Sequence, residues 1–311
     1  MILAIDVGGT KLAAARVTPE GEIEETRRAA TPQDADAGTL WKALRELIGP
    51  LSAGVTGVGV GCGGPMEWPE GVVSPLNIPG WRGFPLRARL SGLFPGLPVR
   101  VHNDAICLAV AEHWRGAGQG VRDMLGMVVS TGVGGGLVLG GRLVNGGTGN
   151  AGHIGHVIVE PGGGPPCGCG GHGCLEAVAR GPALTSWALA HGWTPRTAAD
   201  PDHPEERAVT ARMLAADARA GDPAAVAAMR RAGRALGIAI ASATHLCDLE
   251  LVTIGGGLSQ AGELLFGPLE EALREHARMG FARRVRVVPA ALGQEAGLIG
   301  AAALILAADR Y

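Results

Sequence analysis

The segment formed by residues 146–176 is the feature of this sequence that most constrains its fold and chemistry. It holds three cysteines within eight positions, with two histidines upstream of them. Thiolate sulfur and imidazole nitrogen are the ligands that a structural zinc ion prefers, and four of them form a tetrahedral shell. Glycines between the cysteines allow the tight turns that such a loop needs. The spacing therefore predicts a metal site built on Cys167, Cys169 and Cys174.

The fourth ligand has to come from outside the cysteine run. We favour His156 over His153 and His172, because His172 lies inside the loop that already turns around the thiols. Three thiolates and an imidazole fill the shell, so the predicted zinc is structural and not a Lewis acid. It is expected to hold Glu176 in a polar binding pocket. The alternative is buried or paired cysteines, although three thiols in one loop leave one unpaired.

Length and composition limit the classes of protein that fit. The chain has 311 residues, enough for two domains, and 47% of them are hydrophobic, enough to form cores. A formal net charge of -2 argues against nucleic acid or an anionic membrane surface as a partner. No apolar stretch reaches the roughly 20 residues of a membrane span, and the first residues lack the basic region of a signal peptide. We expect a cytoplasmic protein with reduced cysteines.

Two segments repeat one pattern of strand, glycine turn and strand. The first covers residues 2–17 around Gly8 and Gly9, and the second covers 126–140 around Thr131 and the glycines that follow. Backbone N–H groups in such turns can bind a phosphate, although ordinary tight turns are the alternative. A strand and not a helix follows each turn, so neither is a P-loop. The repetition predicts two related domains that offer their turns to one phosphate chain. Asp6, at the end of the first strand, can hold a magnesium ion through water.

The pair Asn103-Asp104 lies between a predicted strand at 99–102 and a predicted helix at 105–115. One explanation is helix capping, because an aspartate before a helix accepts backbone N–H bonds and suits the helix dipole. The other is a general base for a substrate hydroxyl, at the carboxyl end of a strand where open α/β sheets bind ligands. The residues alone leave both explanations open.

Three further segments complete the pattern. Residues 180–222 are predicted as helices joined by loops, with interruptions that include Pro201 and Pro204. Residues 224–248 form a predicted alanine-rich helix, buried through Leu236, Ile240 and Leu246. A predicted strand at 249–254 then leads into three glycines at 255–257, which either lie against a flat base such as adenine or form a tight strand–helix turn.

Together these elements resemble the ROK family, which comprises sugar kinases and related repressors of the actin/hexokinase-like superfamily. The resemblance covers essentially the whole chain through six motifs in order: 6–11 (DVGGTK), 103–105 (NDA), 130–136 (STGVGGG), 151–156 (AGHIGH), 167–176 (CGCGGHGCLE) and 254–257 (IGGG). It implies an α/β fold of two actin/hexokinase-like (ribonuclease H-like) domains with an interdomain cleft and a zinc-binding loop. The implied domains are a small one at 1–115, with the C-terminal helix 294–311 packing back on it, and a large one at 116–293.

The resemblance also implies an activity and roles for single residues. The protein would transfer the γ-phosphoryl group of ATP to the 6-hydroxyl of a hexose with the help of Mg²⁺, and Zn²⁺ would be structural. Asp104 would be the catalytic base. The implied sugar-binding residues are Gly64, Asn77, Asn103, Asp104, His153, His156 and Glu176. The implied nucleotide-binding residues are Asp6, Gly8, Gly9, Thr10, Lys11, Thr131, Gly132, Gly134, Gly256 and Gly257. The implied zinc ligands are His156, Cys167, Cys169 and Cys174.

One residue departs from the family pattern and bears on the choice of sugar. Family glucokinases have a glutamate where this chain has His153, and a histidine there is similar to bacterial N-acetylmannosamine kinases. An imidazole N–H can donate to an N-acetyl carbonyl, which favours N-acetylglucosamine or N-acetylmannosamine. The loop around Asn77 and Trp81 is more similar to the glucokinases, so glucose stays the alternative.

The partners implied are the hexose and ATP, with polyphosphate as the alternative donor, and a homodimer or homotetramer is expected. A sugar-responsive regulator without kinase activity is a remote alternative. Repressors of the family carry a DNA-binding segment before the first glycine motif, and here that motif begins at Asp6 in a chain that is not basic. The presence of Asp104 also argues against a sensor that performs no chemistry.

Overall fold

The computed structural model describes residues 1–196 and 209–311. Its strands are β1 (Ile2–Val7), β2 (Lys11–Val17), β3 (Ile23–Ala30), β4 (Gly57–Cys62), β5 (Met66–Glu67), β6 (Val72–Val73), β7 (Val99–Asn103), β8 (Met124–Val129), β9 (Val133–Leu139), β10 (Arg142–Leu143), β11 (Leu251–Gly255) and β12 (Arg286–Pro289). Its α-helices are α1 (Ala37–Ile48), α2 (Leu86–Leu93), α3 (Asp104–Arg115), α4 (Leu175–Ala179), α5 (Gly181–Ala190), α6 (Ala211–Arg219), α7 (Pro223–Cys247), α8 (Glu263–His276) and α9 (Ala296–Leu306).

The first sheet has the strand order β3-β2-β1-β4-β7. Strands β1, β4 and β7 are parallel, so their carboxyl ends meet at one edge, whereas β2 and β3 pair in antiparallel fashion. Strand β1 is apolar at almost every position because both of its faces are covered. Leu3 and Ile5 pack in the core that contains α1, and Ile2 and Ala4 pack in the core that contains α3 and α9. Polar residues that follow these strands therefore collect at the carboxyl edge.

The second sheet has the order β10-β9-β8-β11-β12. This is the order of the first sheet repeated: the first strand is central, the second and third lie on one side, and the fourth and fifth on the other. Strands β9 and β10 are antiparallel, and β11 and β12 are parallel. The repeated order agrees with the repeated strand–turn–strand pattern of the sequence, and the predicted two-sheet α/β architecture is confirmed.

The chain divides into two compact units. One consists of Met1–Gly126, Gly135–Gly152 and Ala290–Tyr311, and the other of Met127–Gly134 and His153–Pro289. Helix α9 belongs to the first unit and packs on α3, β1 and β4 there. The domain boundaries predicted from the sequence, after residues 115 and 293, stay a prediction.

Helix α7 shows how well local signals mark a helix and how poorly they mark its buried face. It begins one residue before the predicted start, with Asp222 as the N-cap and Pro223 in the first turn. Leu236 and Ile240 are fully buried, but Leu246 is 86% exposed, so its predicted burial was wrong. Six residues separate it from Ile240, a rotation of about 600° around the helix axis, and this turns the side chain about 120° away from that of Ile240.

The region 180–222 contains helices α5 and α6, as predicted. Pro182 lies in the first turn of α5, where a proline begins a helix instead of interrupting it. The predicted interruptions at Pro201 and Pro204 lie outside the described residues. Among the helices of the described part of the chain, none combines the length and apolar character needed to cross a bilayer.

Candidate functional site

The first glycine turn connects β1 to β2 at the carboxyl edge of the first sheet. The Gly8 N–H donates to the Lys11 carbonyl at 3.0 Å, and the Thr31 hydroxyl donates to the Gly8 carbonyl at 2.7 Å. The side chain of Asn77 lies against Gly9, where a Cβ would be 2.6 Å from its amide nitrogen. The structure thus brings a residue predicted to bind sugar next to a turn predicted to bind phosphate.

Asp6 ends the same strand and carries a perturbed carboxyl group. Burial and, to a smaller degree, the nearby charge of Asp104 raise the pKa of Asp6 to about 6, and the Lys11 ammonium opposes the shift. Two carboxylates in one sparsely hydrated region attract a cation, and Mg²⁺ prefers oxygen ligands. The electrostatics at this edge therefore suit a divalent cation with its phosphate ligands.

Asn103 and Asp104 lie where β7 ends and α3 begins. Asn103 is the N-cap, and its side-chain oxygen accepts the Ala105 N–H at 2.9 Å. Asp104 is the first helical residue, and its Oδ1 accepts the same N–H at 2.8 Å. The capping position that the sequence suggested for Asp104 therefore belongs to Asn103. Asp104 shares this N–H from the first turn of the helix, so its carboxylate both supports the helix start and lies at the carboxyl edge of the sheet.

His102 contributes to the geometry of this pair, a role that was not predicted from the sequence. Its Nδ1 accepts the Asn103 N–H at 2.9 Å, and its Nε2 lies 2.7 Å from Asn145 Oδ1. An imidazole that accepts at Nδ1 carries its proton on Nε2, so Asn145 is the acceptor. Burial lowers the pKa of His102 although the Asn145 hydrogen bond opposes this shift. The neutral imidazole thus fixes the backbone one residue before Asp104.

Four side chains in the second unit form a candidate metal site. The ligand atoms of His156, Cys167, Cys169 and Cys174 all lie within 4.8 Å of one another. The two cysteine sulfurs at 169 and 174 are 3.7 Å apart, and Cys167 Sγ is 3.6 Å from His156 Nδ1. A tetrahedral zinc with ordinary bond lengths gives edges of about 3.8 Å between sulfurs and about 3.5 Å between sulfur and nitrogen. The donor set and its spacing fit zinc, and His172 is not part of the cluster.

Backbone hydrogen bonds join the segment that carries His156 to the segment that carries the cysteines. The segment after His156 pairs with the segment around Cys174, with the Leu175 N–H donating to the Val157 carbonyl at 2.9 Å and the Val159 N–H to the Gly173 carbonyl at 2.9 Å. This pairing brings the histidine to the cysteines across a long stretch of sequence. The ligands are consequently placed by the fold as well as by the metal.

Glu176 and His153 lie beside the metal ligands. Glu176 is in the first turn of α4, and its Oε2 accepts the Val133 N–H at 3.0 Å. The imidazole rings of His153 and His156 are stacked with their centroids 6.2 Å apart. The structure therefore brings together three of the residues predicted to bind sugar, and it adds a contact of Glu176 with the second glycine turn that the sequence did not predict.

The second glycine turn is shorter than predicted. Its turn residues are 130–132, closed by a hydrogen bond from the Ser130 N–H to the Gly132 carbonyl at 2.8 Å, and Gly134 already lies in β9. Gly256 follows β11 with φ of 90° and packs on the backbone of Val129. A side chain there would collide with that backbone, so the tight-turn explanation accounts for Gly256 without a ligand.

The chain belongs to the ROK family, whose model matches residues 2–308. It is 35% identical to the glucokinase of Thermotoga maritima over 315 residues, 98% of this chain and 96% of that protein. It is 38% identical to the N-acetylmannosamine kinase of Citrobacter koseri over 305 residues, 97% of each chain. A solved structure of a ROK family glucokinase from Streptomyces griseus in complex with glucose and AMPPNP has a TM-score of 0.79 and 35% identity, covering 97% of this chain and 98% of that one. The predicted family and its actin-like fold are confirmed.

Proposed function

We propose that this protein is an ATP-dependent hexokinase of the ROK family, which transfers the γ-phosphoryl group to the 6-hydroxyl of an aldohexose. The observation that carries the proposal is the position of Asp104. It lies at the carboxyl edge of the first sheet, next to a helix cap that Asn103 already supplies. The relatives named glucokinase and N-acetylmannosamine kinase support the reaction class.

In this mechanism the protein positions groups and stabilises charge. Asp104 accepts the proton of the sugar hydroxyl as that oxygen attacks the γ-phosphorus, and general-base help of this kind contributes about 100- to 10,000-fold. Phosphoryl transfer asks for little other chemistry from the protein. Asn103, Asn77 and Gly64 bind sugar hydroxyls, and His102 keeps the backbone at Asn103 in place.

The nucleotide is assigned to the glycine turns and their neighbours. Backbone N–H groups of the two turns bind the phosphates, and Lys11 adds a positive charge. The phosphate-binding residues are Gly8, Gly9, Thr10, Lys11, Thr131, Gly132 and Gly134. Gly256 and Gly257 border the adenosine. Asp6 would hold Mg²⁺ through water, and the ion would neutralise phosphate charge. ATP is the proposed donor, with inorganic polyphosphate as the alternative.

The proposed zinc ion is a structural one. Its ligands would be His156, Cys167, Cys169 and Cys174, and the spacing of their ligand atoms supports this assignment. Because His156 faces the thiols with Nδ1, its Nε2 is the nitrogen left to meet a sugar hydroxyl. Thiolate ligands need a reducing compartment, so the proposal includes a cytoplasmic location. A homodimer or homotetramer is also proposed.

The sugar is the finer part of the proposal, and two candidates have support of comparable weight. His153 favours an N-acetylhexosamine, because an imidazole N–H can donate to an N-acetyl carbonyl. Relatives named glucokinase and N-acetylmannosamine kinase have similar identities to this chain, so glucose is the second candidate. A coupled assay of ADP release with Mg²⁺ and ATP, run with glucose, mannose, N-acetylglucosamine and N-acetylmannosamine, decides between them by kcat/KM.

Asp104→Asn tests the reaction itself. We expect kcat to fall at least about 100-fold while the fold stays intact, because the amide keeps the shape but cannot take the proton. Asp309→Asn changes an exposed aspartate in the same way and is the matched control. Turnover of Asp104→Asn near that of the control would refute the assignment of the base. A wild-type protein that releases no ADP with any of the four sugars would refute the hexokinase function.

A further inference from the structure

The peptide groups on both sides of Val133 contact residues 153–176, here called the metal-binding segment because they include the four candidate metal ligands. Its N–H donates to Glu176 Oε2 at 3.0 Å. Its carbonyl oxygen lies against Gly155, where a Cβ would come within 2.0 Å of it. Gly132 also faces Glu176, since a Cβ there would be 2.9 Å from Oε2. The end of the second glycine turn therefore has carboxylate on one side and close-packed backbone on the other.

The two residues that contact Val133, Gly155 and Glu176, lie close in sequence to candidate metal ligands. Gly155 directly precedes His156, and Glu176 follows Cys174 by two residues. The hydrogen bond from the Leu175 N–H to the Val157 carbonyl, at 2.9 Å, joins the two strands of chain that carry them. Gly155 and Glu176 thus belong to one folded piece, and the metal site lies at its centre. Both contacts with Val133 therefore come from residues close in sequence to the candidate metal ligands.

The turn itself has a second anchor that does not depend on the metal. The Gly181 N–H, at the start of α5, donates to the Ser130 carbonyl at 2.8 Å. Residues 130–133 are therefore fixed at one end by α5 and at the other by the metal-binding segment. Loss of the contact with the metal-binding segment would leave the turn attached only at the end that α5 holds.

We propose that the metal-binding segment positions the second glycine turn for the nucleotide, with Glu176 as the positioning residue, in addition to shaping the sugar site. The inference rests on the proposed function only in that this turn binds phosphate. A carboxylate has two oxygens, so Glu176 can bind the turn with Oε2 and a sugar hydroxyl with Oε1. One side chain then serves both substrates.

The test measures nucleotide affinity in the absence of sugar, by calorimetric titration with Mg²⁺ and AMPPNP. Glu176→Ala removes the acceptor of the Val133 N–H, and we expect the dissociation constant of AMPPNP to rise about 10-fold, the effect of one lost hydrogen bond to a charged group. Glu176→Gln keeps a carbonyl acceptor and is expected to stay within about 3-fold of the wild type. A residue that only contacts sugar would move neither value.

Glu160→Gln is the matched control. Glu160 lies in the same paired segment, but its carboxylate binds Arg231 at 2.7 Å and not the turn. We expect its AMPPNP affinity to equal that of the wild type. If Glu176→Ala does not fold, removal of the metal from the wild type by a chelator replaces it, with the same expected loss of AMPPNP affinity.

Three outcomes overturn the inference. Equal AMPPNP affinity of Glu176→Ala and the wild type shows that the contact with Val133 does not position the turn. Unchanged affinity after metal removal shows that the metal does not hold the segment. A wild type that binds no AMPPNP refutes the proposed function and this inference with it, whereas a wild type that binds AMPPNP and phosphorylates a hexose leaves the proposed function intact whichever way the variants behave.

Discussion

Asp6→Asn should make the protein more stable and less active, and the effect on stability should depend on pH. The pKa of Asp6 is raised from 3.8 to about 6 in the folded protein, chiefly by burial. Each pKa unit corresponds to about 1.36 kcal/mol, so the ionised carboxylate costs the folded state about 3 kcal/mol above pH 6. An amide of the same shape carries no charge and avoids this cost. Activity should fall because the amide is a poor partner for a magnesium ion.

The sign of the pH dependence follows from which state binds the proton more tightly. A raised pKa means that the folded state holds the proton of Asp6 more strongly, so the wild type loses stability as pH rises from about 4 to 6. The advantage of Asp6→Asn should therefore be about 3 kcal/mol at pH 8 and roughly half of that at pH 5. For a chain of this length unfolding as one unit, the larger value raises Tm by about 5 °C.

Thermal unfolding of the two proteins at pH 5 and pH 8 measures this difference. Mg²⁺ and nucleotide are left out, because a ligand that binds only the folded wild type adds stability of its own. Asp309→Asn, at an exposed aspartate, is the control and should show no comparable gain at pH 8. A Tm difference between Asp6→Asn and the wild type that is zero at pH 8, or larger at pH 5 than at pH 8, would contradict the proposed cost of burying the charge.

Three further predictions concern a histidine, a metal ligand and the support of the catalytic base. Burial lowers the pKa of His113, so the folded state disfavours the protonated imidazole and loses stability as pH falls below about 6.5. Urea unfolding should show that the unfolding free energy of His113→Gln falls less between pH 7.5 and pH 5 than that of the wild type. Cys169→Ala should lose bound zinc, measured by elemental analysis, and should raise the sugar KM because Glu176 is displaced. A variant that lacks zinc but keeps a normal sugar KM would disprove that the metal holds Glu176 in the sugar site. His102→Phe leaves the Asn103 N–H without its acceptor, and we expect a loss of about 1–3 kcal/mol in unfolding free energy, a lower kcat through displaced Asp104 and a higher sugar KM through displaced Asn103.

The sequence predicted most of the local structure and the chemistry of the metal site, because both depend on short-range patterns. The apolar run before Gly8 and the cysteine spacing are each contained in a few consecutive residues. The buried face of α7 was predicted incorrectly at Leu246, where helical rotation decides and composition does not. The contact of Glu176 with Val133 joins residues 43 positions apart, and a pattern within a few consecutive residues cannot predict it.

His102 illustrates a second reason why the site was only partly predictable. It looked like the last residue of an apolar strand, and a lone histidine there has no spacing that signals a role. Its role arises from Asn145, which lies 43 residues further along the chain and fixes the position of the imidazole proton. The catalytic assignment of Asp104, the sugar-binding residues and the nucleotide-binding residues stay predictions, since their test is kinetic.

The two sheets share a strand order, but their third strands differ in length, and different residues support the two glycine turns. In the first sheet the third strand, β3, has eight residues, and Thr31 directly after it braces the first glycine turn through its hydroxyl and its N–H. In the second sheet the third strand, β10, has only two residues. The chain that follows β10 leads into the metal-binding segment, and that segment braces the second turn through Gly155 and Glu176. In the second sheet, contacts from the segment that carries the candidate metal site thus stand where a residue directly after the longer third strand supports the turn in the first sheet. On this argument, loss of the metal site should affect the second turn and leave the first one unchanged.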